Sequence, residues 1–273
     1  MRGFTNHLMI SLLLNARNRQ ALIFGYVVPV FFLIAFASIF AKGGTPVAKT
    51  MGSLLVISVL GGACFGMPIT LVNERERGVW RRYRLTPLGS GVFVTSTMTS
   101  RFLLVASSAV LQLALAVWIY HLPIPPHPLD LLIAFTLISF AFIGIGLIIA
   151  AVASSVGAVQ ALGQSLFLPM IMIGGVGIPL YNLPPWAQDF SLFLPGRYAV
   201  ELLNRCFTSD GLARAQFHAL ALLAIGSAAT LVGWKLFRWE AEERLPRSAW
   251  AWVAFSISVW VAVGVLAKVF KLA

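Results

Sequence analysis

The chain has 273 residues, 59% hydrophobic and 11% charged, with a mean hydropathy of +0.88. Soluble domains carry about a quarter charged residues, so this composition cannot cover a water-facing surface, and an all-α integral membrane protein is expected. The 20 Lys+Arg against 9 Asp+Glu give a net charge of +11, an excess that membrane orientation explains without a nucleic-acid partner.

The chain opens on Met1-Arg2-Gly3-Phe4 and a short apolar stretch, Leu8 to Leu14, closed by Asn15-Ala16-Arg17-Asn18-Arg19. It has no small-residue cleavage site, so it is not read as a signal peptide, and the first span is expected to do the targeting. Residues Thr5 to Gln20 form an amphipathic pattern in which Leu8, Leu12 and Ile23 can face lipid while Asn15, Asn18 and Arg19 face water. An interfacial helix and a plain charged lead-in are both compatible with it.

A bilayer core needs about 20 apolar residues in helix. Seven segments meet that test: 21–41, 51–72, 102–120, 131–154, 162–180, 215–236 and 249–267. Basic clusters precede the first span (Arg2, Arg17, Arg19) and follow the second (Arg75, Arg77, Arg81, Arg82, Arg84) and the sixth (Lys235, Arg238, Arg244, Arg247). All three fall on one side when the N-terminus is cytoplasmic. Seven spans would then leave Lys268, Lys271 and the C-terminus outside. Pro29, Pro68 and Pro169 lie inside spans, where each removes a backbone donor. Gly62-x-x-x-Gly66 and Gly146-x-x-x-Ala150 permit close helix approach, either within the chain or at a dimer contact.

The stretch from Asn73 to Leu88 carries seven charges in its first twelve residues, directly after a span. Asn73 can cap a helix with Glu74 and Glu76 in its first turn, and Thr86-Pro87 would end it. Val79, Trp80 and Leu85 are then available for apolar docking. By charge alone this is equally a solvated loop that attracts anionic lipid. Further on, Gly177-Ile-Pro-Leu-Tyr-Asn-Leu-Pro-Pro-Trp186 is followed by Phe193-Leu-Pro-Gly-Arg-Tyr198 and Glu201. Prolines break this run into short helices. Trp186 and Tyr198 suit the headgroup level, and Arg197, Glu201 and Arg205 can pair along one helix face.

The order of residue types resembles the permease subunit of type-2 ATP-binding-cassette exporters. The Glu74-Arg75-Glu76-Arg77-Gly78 run ending in Thr86-Pro87 matches that family's coupling helix, here with an unusually basic middle from Trp80 to Arg84. The resemblance implies coupling to a cytoplasmic ATPase through Glu74, Arg75, Glu76, Arg77, Gly78, Trp80, Thr86 and Pro87. It implies an external re-entrant hairpin built on Pro179, Pro184, Trp186, Pro195, Arg197, Tyr198 and Glu201. It also implies a six-helix core in a bacterial-type inner membrane, dimerisation with a second permease copy or homologue, and ATP and Mg bound on the partner, with no cofactor in this chain. The match covers roughly residues 5 to 236. We therefore expect residues 1–236 to form the permease transmembrane domain and 237–273 a charged cytoplasmic linker with an additional C-terminal span.

Arg101 is read as an interfacial anchor, since 102–120 spans by itself and lets the side chain snorkel. Had the helix begun near Gly91, Arg101 would sit about 15 Å along it, where a charge marks a functional site. Gln112, Gln160 and Gln164 are expected to hydrogen-bond between helices, and His218 to pack near a span end. Nine acidic residues argue against a carboxylate-rich metal site. Cys64 and Cys206 offer no CxxC spacing and no disulfide framework. There is no phosphate-binding G-x-x-x-x-G-K-[ST], H-E-x-x-H or G-x-S-x-G. The expected activity is export of a drug-like, lipidic or glycan-lipid substrate. An ATPase-independent carrier or channel with a lipid-binding basic helix is the second reading, and a membrane enzyme such as a lipid transferase the third.

Overall fold

The structure, a computed structural model, describes residues 2–17, 19–42, 50–85, 89–123, 125–207, 211–239 and 245–272. Thr86 and Pro87 lie outside the described residues. The first helices are α1 (Arg2–Arg17), α2 (Arg19–Leu22) and α3 (Val28–Lys42), the last two joined by a π-helical segment, Ile23–Val27. Next come α4 (Met51–Gly61), a second π segment (Gly62–Gly66), α5 (Met67–Glu76) and the short α6 (Val79–Arg84). The rest are α7 (Ser90–Tyr120), α8 (Pro128–Val152), α9 (Val156–Met172), α10 (Pro185–Ser191), α11 (Pro195–Cys206), α12 (Gln216–Lys235) and α13 (Ala249–Phe270). Five helical runs are long and apolar enough to cross a membrane: Met51–Glu76, Ser90–Tyr120, Pro128–Val152, Gln216–Lys235 and Ala249–Phe270. Of two shorter apolar helices, Gly25–Ser38 falls within the expected segment 21–41 and Val156–Met172 only overlaps 162–180.

Both π segments end just before a proline, Pro29 or Pro68. A proline donates no backbone hydrogen bond and its ring crowds the carbonyl one turn back, so the helix widens there. The carbonyl of Gly66, in the second π segment, accepts from Thr70 Oγ1 at 2.8 Å and from Arg101 Nη2 at 3.1 Å. Glycines let neighbouring helices approach this widened backbone. A Cβ on Gly163 would stand 2.6 Å from the Cys64 carbonyl oxygen, and one on Gly146 would overlap that of Ala63. Gly146 thus serves packing within the chain.

The helical run Met51–Glu76 sets the long dimension. Gly52, at one end, packs against Asn204 of α11, while Glu76 lies 24 residues on, about 36 Å away by helical rise. That matches a bilayer core of about 30 Å with its margins. The bundle therefore has an α6 end and an α11 end.

Three expectations about helix ends are corrected. The third span starts at Ser90, not Phe102. Its early Ser and Thr hydroxyls bond back to carbonyls of their own helix, as Thr95 does to Gly91 and Thr99 to Thr95, both at 2.8 Å. The fifth apolar helix is shifted to Val156–Met172. Ser155 caps its start by accepting from Ala158 N at 3.2 Å, and Gly175, at φ +77°, lies in the turn that follows. Asn73 is not an N-cap: α5 runs through it to Glu76 and ends at Gly78, where φ is +66°.

Candidate functional site

At the α6 end, the charged segment divides into an outward and an inward face. Glu76, Arg77 and Arg81 are exposed, and Leu85 is 89% exposed. Arg75 and Trp80, only 2% exposed each, point into the bundle. Trp80 is thus not available for docking a partner, as its place on the helix suggested. Its Nε1 donates to Glu74 Oε2 at 3.2 Å, and the Arg75 guanidinium lies over its ring at 5.9 Å.

Arg75 donates to the carbonyls of Ala150, at 3.1 Å, and Ala153. Arg238, just beyond α12, donates to Ala151 at 2.9 Å. Two buried guanidinium groups thereby satisfy the last carbonyls of α8, where unpaired oxygens and the negative end of the helix dipole favour cations.

Around Trp80 stands an aromatic cluster drawn from four parts of the chain. Trp80 stacks on Phe237 at 5.2 Å and meets Phe93 edge-on at 5.1 Å. Phe93 also touches Tyr83, Trp239 and His7. His7 bonds Ser96 Oγ at 2.7 Å, and Asn15 Nδ2 donates to Ser100 Oγ at 3.3 Å. The protein-facing side of α1 therefore carries His7 and Asn15, whereas Met9, Ile10, Leu13 and Leu14 are exposed. Ile23 is exposed as expected, but Asn15 faces protein and Leu8 and Leu12 are half-buried. His7, Phe93, Phe237, Trp239 and Arg238 escaped the sequence reading because their contacts are long-range; only the crowding of aromatic and basic residues at span ends hinted at them.

Arg101 is 5% exposed and donates to Gly66 as described. It does not snorkel along lipid. With α7 beginning at Ser90, it projects between helices toward the π segment.

At the α11 end, prolines start the short helices, as their fixed φ favours. Pro179 precedes the 3-10 turn Leu180–Asn182, Pro184 precedes α10, and Pro195 opens α11. Arg197 Nη1 donates to the Gln188 carbonyl at 2.9 Å and Ser191 Oγ at 2.7 Å, fastening α11 to the end of α10. Glu201 pairs loosely with Arg205 at 3.9 Å. Trp186 is 66% exposed, but Tyr198 is 1% exposed and donates to the Leu192 carbonyl. Tyr198 is therefore a core residue rather than a headgroup-level one, because the apolar face of α11 turns inward. Burial pushes its phenol up to about 12, keeping it a donor. α13 reaches this hairpin: Gly264 abuts Phe193, and Lys268 pairs with Asp189 at 2.7 Å.

Of the glutamines, Gln112 is buried and accepts from Ser58 Oγ at 3.0 Å, joining α4 to α7. Gln160 and Gln164 lie exposed on α9 instead. His218 is buried beside Tyr198 and Phe217.

Two predictions arise from this geometry. A Cβ at Gly78 would meet nothing closer than Arg81 Cδ at 3.9 Å, so Gly78→Val acts through backbone strain alone. It should cost about 1–2 kcal/mol and speed proteolysis near residue 78 without lowering protein yield. Burial holds the His7 imidazole below its ordinary value of 6.5. The neutral ring is thus favoured in the fold; α1 docking is full above pH 6.5 and lost as pH falls toward the lowered value. Protection of the amides of residues 2–17, measured by hydrogen exchange relative to the intrinsic rate at each pH, should fall below pH 6.5, and His7→Phe should remove that dependence.

Among the described residues, a bundle of apolar helices carries a charged turn at one end and a proline-built hairpin at the other. The chain belongs to the ABC-2 type transporter family, whose match covers residues 6–207, and its long apolar helices are those of a multi-pass membrane protein. It is similar to the "Probable multidrug ABC transporter permease YbhR" of Escherichia coli (strain K12), with 22% identity over 189 residues, 68% of this chain and 51% of that protein. The protein of the same name from Escherichia coli O157:H7 matches at the same identity and coverage. The chain spans about half the length of these curated relatives.

Proposed function

We propose that the chain is the membrane half of an ATP-driven exporter, powered by a separate cytoplasmic ATPase that binds ATP and Mg. It would sit in an inner membrane with the α6 end cytoplasmic and the α11 hairpin external, and pair with a second permease copy or homologue. The observation that carries this reading is the two-faced α5–α6 segment. Glu76, Arg77, Arg81 and Leu85 offer a charged surface with an apolar tip. Arg75 and Trp80, on the opposite side, are joined to α8, α7 and the end of α12. A partner that pushes the outer face moves several spans together, and its nucleotide-bound state must favour one arrangement by differential contacts.

Residues 1–236 would form the permease domain. Residues 237–273 would add the linker and α13, whose end at Lys268 then lies outside with the hairpin. The relatives' name points to small drug-like cargo; lipidic and glycan-lipid substrates fit the same frame. An apolar groove of about 190 Å³ between Pro29, Phe32, Phe65 and Phe167 suits the apolar part of an amphiphile. The test is uptake of a lipophilic dye by inverted vesicles. Uptake that requires ATP and both proteins supports the proposal; uptake by this chain alone, without ATP, contradicts it.

A further inference from the structure

Beneath α1 lies a cavity of about 400 Å³, walled by α1, α5, the Gly78 turn and α7. We propose that it binds the phosphodiester headgroup of a membrane phospholipid. Three arginines from three elements line it: Arg17 at the end of α1, Arg77 in the turn and Arg101 on α7. Arg17 and Arg77 are exposed at the rim, and their side chains make no hydrogen bond or ion pair among the described residues. Arg101, buried at the inner wall, spends one N–H on Gly66 and has others to offer.

Glu74 is the acidic residue of the lining, and its carboxylate already accepts from Trp80. Three positive side chains against one negative leave the lining at +2. Guanidinium groups match phosphate oxygens in charge and in hydrogen-bond geometry, and Ser11, Asn73 and Thr97 add neutral polar groups.

The surroundings select a lipid rather than a free anion. The outer side of α1 presents Met9 at 63%, Leu13 at 54% and Leu14 at 50% exposure, and Leu14 also lines the cavity. An interfacial helix with such a face lies at the boundary between headgroups and acyl chains. A phosphodiester lipid would occupy both surfaces, its headgroup among the arginines and its chains along α1. This inference rests on the membrane placement of the chain and not on its coupling to an ATPase.

The test uses the delipidated full chain alone in detergent, titrated by native mass spectrometry with a short-chain phosphatidylglycerol. Parallel titrations use a monoacylglycerol of equal chain length and inorganic phosphate. One phospholipid should bind per chain. Arg17→Ala/Arg77→Ala, altered only at the rim, should bind at least about tenfold more weakly, and Arg101→Gln likewise. Monoacylglycerol should not compete, and millimolar phosphate should not displace the lipid. Unchanged affinity in a folded rim variant, or equal binding of the phosphate-free lipid, overturns the site. Displacement by inorganic phosphate overturns its assignment to a lipid.

Discussion

Gly146→Val should nearly abolish accumulation of folded protein. The added Cβ would overlap the carbonyl oxygen of Ala63 and lie 3.1 Å from its carbonyl carbon. Backbone cannot rotate aside as a side chain can, so α8 must withdraw from the widened segment of the second span. Overpacking of a filled interior costs about 1–3 kcal/mol and sometimes more; a helix-wide displacement belongs at the upper end. Gly62→Ala supplies the contrast, since its Cβ would meet only Val105 Cγ2 at 3.0 Å, the tip of a side chain. Thermal melting followed by size-exclusion fluorescence should rank wild type above Gly62→Ala and both far above Gly146→Val. Equal melting of all three would remove the close crossing from the account.

Arg75→Met has the second large effect. The substitution keeps an apolar stem of similar length but strips the hydrogen bonds from the Ala150 and Ala153 carbonyls. Leaving two buried acceptors unpaired costs about 2–4 kcal/mol, partly offset by no longer burying a charge. Lysine, a point charge unable to fork, should fall between. Arg238 holds the neighbouring carbonyl of Ala151, so Arg238→Met should couple non-additively with Arg75→Met. Melting temperatures of the singles and the double measure that coupling. Strict additivity would mean that the two arginines do not share the end of α8.

Hydropathy made the apolar helices legible, because a lipid-facing span needs little besides length and apolar side chains. Their ends were less so. The Ser/Thr-rich stretch from Ser90 to Ser100 reads as a polar lead-in, yet its hydroxyls bond their own helix and it packs beneath α1. Gly78 outcompeted Asn73 as the punctuation of the charged segment, since a left-handed residue ends a helix that a capping side chain cannot restart in mid-run. The order of charges around Glu74–Gly78 was readable; which of them face inward was not. Trp80 and Arg101 are each defined by partners far along the chain, Phe237 and Gly66. Tyr198 was misplaced for a related reason: a tyrosine beside prolines looks interfacial until the inward face of α11 claims it.

In the proposed mechanism the α5–α6 segment receives an ATPase on its outer face and passes the motion inward through Trp80. The most direct measurement is a pull-down of tagged chain from its native membrane, with vanadate-sensitive ATPase assayed in the eluate and transport assayed in vesicles. Wild type should bring down the ATPase. Glu76→Ala/Arg77→Ala, altered at exposed positions, should lose it. Trp80→Leu should retain the ATPase yet lose transport. If folded wild type brings down no ATPase in several mild detergents, or if the surface variant keeps both partner and transport, the account is contradicted.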